Sequence, residues 1–144
     1  MGRLFRRPFG SQLLYLVAGN ITDNAFYYAS RVGERFLKKP LESRFFVSNE
    51  CLGEPWEKCQ RGDTLANSIR FDHTDRIHED VIRLLSNTDA SKTLPDTGLP
   101  DVIENELSRL FVASSVFGTV SSTSFVVDID TKKISFKEKA HVHQ

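Results

Sequence analysis

In Phe125-Val126-Val127-Asp128-Ile129 the odd positions alternate with the even ones, and Ile134 and Phe136 alternate with Ser135 and Lys137 beyond a polar Asp130-Thr131-Lys132-Lys133 connection. A side-chain period of two on both sides of a short polar turn predicts a β-hairpin. Two strands alone are marginal in water. The hairpin therefore constrains the rest of the chain. It needs helices to pack on, a third strand from around 116–122, or a partner's sheet to extend.

Upstream, the apolar positions space differently. Leu14, Ala18, Ile21, Ala25, Tyr28 and Val32 recur at intervals of four and three, which predicts a helix behind a Ser11 cap. Gly19 and Asn20 weaken its middle, so Thr22 or Asp23 would cap a second piece. Arg35, Lys38 and Lys39 suit a helix C-terminus, and Pro40 ends it. Ala25, Ala29 and Gly33 would then form a small-residue ridge at i, i+4 and i+8, where another backbone can come close. A second helical pattern runs from Thr64 to Leu85 through Leu65, Ile69, Ile77, Val81 and Leu84, with Asp72 and Thr74 as points of interruption. Pro100 suits a first helical position. Ile103, Leu107, Leu110 and Phe111 continue from it to a stop at Gly118. The expected fold class is α+β, with a mainly helical N-terminal two-thirds and a C-terminal β-hairpin. Residues 1–10 form an arm, and 11–144 form a single domain.

The net charge of zero hides an asymmetry. Residues 1–44 hold eight Lys and Arg against three acids, and the remainder carries the opposite excess of five. A basic front favours acidic partners, or the acidic half of the same fold. The arm Arg3-Leu4-Phe5-Arg6-Arg7-Pro8-Phe9 interleaves guanidinium and aromatic groups. Such groups anchor protein interfaces, lie at anionic membrane surfaces, or stack on bases. Protein subunits rank first and an anionic membrane surface second. The acidic body argues against an extended nucleic-acid footprint.

The start is Arg-rich and has no acid before Asp23. That composition resembles a mitochondrial address, and an inner-membrane-associated complex is the location it suggests. Secretion is the alternative, from a short apolar run Leu13–Val17 followed by Ala18 and Gly19. The run is too short and too interrupted for a transmembrane helix. Cys51 and Cys59, with seven residues between them, match no zinc pattern. They stand as either a disulfide or two free thiols.

Chemistry is sparse. No phosphate-binding Gly-rich loop and no nucleophile elbow occurs, so no catalytic residue, metal ligand or cofactor is assigned. His141 and His143 alternate on a terminal strand, where two histidines could share a metal but are more often free. The best cluster is Asp75, His78 and Glu79. On a helix these share a face, and an imidazole between carboxylates can bind a divalent metal or act as a base. A solvated helix face with ordinary charge pairs explains the same pattern more simply. The function expected is therefore a non-catalytic accessory subunit of a multiprotein assembly. Its partner-binding residues are Arg3, Phe5, Arg6, Arg7, Phe9, Ala25, Ala29 and Gly33. The alternative is a small metal-dependent enzyme or metal-binding protein using Asp75, His78 and Glu79.

Overall fold

The computed structural model describes residues 13–32, 35–41, 45–48, 56–94, 99–115 and 117–142. The arm residues Arg3, Phe5, Arg6, Arg7 and Phe9, together with Gly33 and Cys51, lie outside them. The chain opens with three strands, β1 (Leu13–Asn20), β2 (Ala25–Val32) and β3 (Arg35–Leu41). These form one antiparallel sheet in the order β1-β2-β3. Three helices occupy the middle: α1 (Glu57–Ala66), α2 (Thr74–Leu85) and α3 (Asp101–Leu107). Strands β4 (Ser121–Val127) and β5 (Ile134–Ala140) pair antiparallel at the end.

The expected helical N-terminal two-thirds is thus corrected. Among the described residues the chain is sheet-rich, with five strands and three helices, and those helices lie in the middle. Two physical reasons account for the difference. The stripe of Leu14, Ala18, Ala25 and Tyr28 fits a helical period, but Tyr15, Val17, Phe26 and Tyr27 between them are strand formers that make both faces apolar. Mixed faces erase the alternation that marks a half-buried strand. The second reason is turn chemistry. Asn20 does not weaken a helix; it closes a hairpin. Its Oδ1 accepts the N–H of Thr22 at 2.8 Å and of Asp23 at 3.4 Å, and Asn24 takes φ 49°, a left-handed value that Asn tolerates.

The inner face of this sheet holds Tyr28, which is 1% exposed. Its ring stacks on Tyr15 at 6.4 Å and meets the edge of Phe45 at 6.3 Å. Phe46, next along, packs on Gly62 of α1, where a side chain's Cβ would stand 2.7 Å from the ring. Residues 45 and 46 therefore join the sheet to the helical layer. Lys58 and Arg61 of α1 reach the C-terminal end of α3. Lys58 Nζ donates to the Leu107 carbonyl at 3.0 Å and Arg61 Nη2 to that of Ser108 at 2.8 Å, a favourable use of cations at a helix C-terminus. Glu57 ties the same helix to the following loop by accepting the N–H groups of Lys92 at 3.0 Å and Thr93 at 2.8 Å. α3 ends at Leu107, short of Gly118, and Gly118 instead pairs with Ala113 in an isolated bridge.

Helix α2 lies across the inner face of the β4-β5 hairpin. That face presents Ser122 and Ser124, both buried. Small hydroxyl side chains let the helix come close, and they require polar partners in return. His78 supplies one to Ser124, and His141 supplies one to Ser122.

Candidate docking face

The strand register sorts the N-terminal sheet into two faces, because paired residues project to the same side. One row of the outer face is Leu14-Arg31-Phe36, the next is Leu16-Ala29-Lys38, and the third is Ala18-Tyr27-Pro40. This face stands open. Leu14 is 61% exposed, Leu16 52% and Phe36 70%. Large apolar groups gathered on a rigid sheet mark an interaction surface more than isolated exposed residues do. Lys38 Nζ lies 5.0 Å from the centre of the Tyr27 ring, a cation–π contact that holds the ammonium over the face. At the turn end of the sheet a shallow depression of about 550 Å³ opens between Ala25, Phe26, Pro40, Leu41 and Phe45.

Two of the expected partner-binding residues fall on this face, though in a different form. Ala25 and Ala29 share its side of β2, but in a strand they stand two positions of the same face apart, with Tyr27 between. No helical ridge exists. Ala29 is instead the small centre of the middle row, flanked by Leu16 and Lys38. The residues that build most of the surface, namely Leu14, Leu16, Tyr27, Phe36 and Lys38, are not among the expected partner-binding residues; the sequence pattern puts Leu14 and Lys38 in a helix. The signal that could have found them is the polar Asn20–Asn24 turn between two apolar runs of eight.

The Asp75, His78 and Glu79 cluster is not brought together as a site. His78 is buried, whereas Asp75 and Glu79 face solvent. Both ring nitrogens of His78 are occupied. Nδ1 lies 2.8 Å from Ser124 Oγ and Nε2 2.8 Å from Ser135 Oγ, so the imidazole joins α2 to both strands of the hairpin. Among the described residues no group of three or more His, Cys, Asp or Glu side chains is placed to hold a metal ion. His141 hydrogen-bonds Ser122 Oγ at 3.0 Å and sits edge-on to Phe111 at 4.6 Å; His143 lies outside the described residues. Cys59 is a free thiol, and burial raises its pKa, which makes it less reactive.

Next to His78, Asp80 is buried and answered by two arginines. The Arg70 backbone N–H donates to Oδ2 at 3.1 Å and its Nε to the same oxygen at 3.3 Å, while Arg83 Nη2 donates to Oδ1 at 2.6 Å. These bonds, Arg70's first, hold the carboxyl below its ordinary range. The arrangement is structural, since it pins residue 70 to the middle of α2.

Among the described residues no helix is long and apolar enough to cross a membrane. A family model described as TANGO2, Transport and Golgi organisation 2, matches residues 11–143. No curated protein and no solved structure matches the chain.

Proposed function

The chain belongs to the TANGO2 family, Transport and Golgi organisation 2, and from that premise we propose that it is a non-catalytic accessory subunit of a larger assembly, serving transport by docking another protein on the outer face of the β1-β2-β3 sheet. The observation that carries this reading is the exposure of Leu14, Leu16 and Phe36 together on one face. The residue types support a protein partner. Tyr27, Phe36 and Arg31 are of the kinds that supply most binding energy at protein interfaces.

The test is the native size of the tagged endogenous chain on a density gradient, with its cross-linked neighbours identified by mass spectrometry. The wild type is expected in a particle far larger than 16.4 kDa. The Phe36→Asp variant is expected in the free pool with its circular dichroism spectrum unchanged. Sedimentation of the wild type alone would overturn the reading, and so would its recovery on anionic vesicles without any protein neighbour. The Arg3, Arg6 and Arg7 start supports a mitochondrial place of action, and the family description supports the Golgi. The same gradient run on separated organelles decides between them.

A further inference from the structure

Helix α2 covers the inner face of the β4-β5 hairpin unevenly. It lies mainly over β4 and meets β5 at Ser135. Further along β5 the same face presents Lys137 and Lys139, because residues two apart in a strand share a side. They stand opposite Ser124 and Ser122 of β4. The two serines are buried under the helix, whereas both lysines are exposed. The helix therefore leaves a cleft along β5. It holds about 380 Å³ and is lined by Glu79, Ile82, Arg83, Ser86, Lys137 and Lys139.

The charge of this cleft is unbalanced. Three cations line it against the one carboxylate of Glu79, an excess of 3 − 1 = 2. Asp80, the acid behind Arg83, is buried and already accepts from both Arg70 and Arg83. Among the described residues neither Lys137 nor Lys139 has a carboxylate within ion-pairing distance. The Arg83 guanidinium is tethered to Asp80 through Nη2 at 2.6 Å, yet its side chain is 65% exposed. It is held in place while further N–H groups remain for an anion. Ile82 and the aliphatic stems of the lysines supply an apolar wall.

We propose that this cleft binds a small phosphate monoester, with the phosphate between Lys137, Lys139 and Arg83 and the organic part against Ile82. A monoester carries a charge of about −1.5 to −2 near pH 7, which answers the excess of two cations. Arginine can take two phosphate oxygens in parallel, and lysine serves as a mobile point charge. The volume lies at the lower end of small-molecule clefts, about 300–1,000 Å³, so it suits a phosphate with a small organic body. The site belongs to the hairpin, and it stands or falls separately from docking on the β1-β2-β3 sheet.

Titration of the isotope-labelled full chain with phenyl phosphate, and separately with inorganic phosphate, reads this through the backbone amide shifts at fixed ionic strength. Saturable shifts confined to residues 79–86 and 137–139 are expected. Phenyl phosphate is expected to bind at least about threefold tighter than the free ion, through its apolar part. Joint Lys137→Gln and Lys139→Gln substitution is expected to weaken binding at least about tenfold, by removing two charge-assisted contacts. Glu79→Gln is expected to tighten it about two- to fivefold, by removing the one opposing charge. Phe36→Asp, on the other sheet, leaves it unchanged. Shifts that grow without saturating, or that spread equally to the lysines at 38–39 and 132–133, overturn the proposal as general screening of surface charge. Unchanged affinity in the double lysine variant, or no tightening in Glu79→Gln, overturns the assignment of the residues. Equal affinity for the two probes overturns the monoester in favour of the free ion.

Discussion

The imidazole of His78 and the hydroxyl of Ser124 lie 2.8 Å apart in the buried seam between α2 and β4, 46 residues apart in sequence. The second ring nitrogen repeats the contact with Ser135 on β5. A neutral imidazole is donor at one nitrogen and acceptor at the other, and a hydroxyl answers either. This one side chain satisfies both strands. His78→Ala removes the ring and leaves the buried Ser124 hydroxyl and the half-buried Ser135 hydroxyl without it, which is expected to lower stability by about 2–4 kcal/mol in urea unfolding. Ser124→Ala is expected to lower it by about 1–3 kcal/mol, because a ring nitrogen loses its partner. A chelator is expected to change neither midpoint.

Asp80 makes stability depend on acid. Its folded carboxyl titrates below the ordinary 3.8, chiefly through its bonds to Arg70. A lowered folded pKa contributes stability that is complete above the unfolded value and is lost as pH falls through the folded one. Asp80→Asn is therefore expected to melt several degrees below the wild type at neutral pH. The gap should narrow once the pH drops below 3.8. Thermal scans of both proteins between pH 7 and pH 2.5 check it, and a gap independent of pH would contradict this account.

Gly62 is a contact residue and not a flexible one. Alanine is the better helix former by about 1 kcal/mol, yet its Cβ would crowd Phe46. Overpacking of that kind costs about 1–3 kcal/mol. Gly62→Ala is expected to be net destabilising in the wild type and stabilising in a Phe46→Ala background. The sign reversal across a double-mutant cycle is the readout.

Phe36→Asp on the open face is expected to change the unfolding free energy by no more than about 0.5 kcal/mol, as for other exposed positions. A larger loss would mean that the side chain supports the fold rather than a partner.

How far the sequence could be read varied along the chain. The Phe125–Ile129 and Ile134–Phe136 alternation marked a hairpin that is present with Phe125 opposite Phe136, although β4 runs Ser121–Val127 and ends before Ile129. The Ile77, Val81 and Leu84 stripe marked α2, and Thr74 marked its start. The N-terminal stripe misled, because a strand exposed on its outer face and still apolar there does not alternate. At the site, only Ala25 and Ala29 among the expected contacts lie on the open face, and the arm residues lie outside the described ones.

By itself, then, the sequence determined the local pieces whose signals are carried by neighbours in the chain: the period-two hairpin around its polar turn and the helical spacing of α2. Tertiary structure alone decided the rest. Tyr28 is buried because Tyr15 and Phe45 cover it, while Leu16 and Phe36 on the opposite face are exposed, with no such layer among the described residues. His78 became a structural tie because Ser124 and Ser135, 46 and 57 residues away, reach its two nitrogens. Whether a residue is buried, exposed or answered by a partner depends on contacts between distant segments, and periodicity within one segment does not encode them.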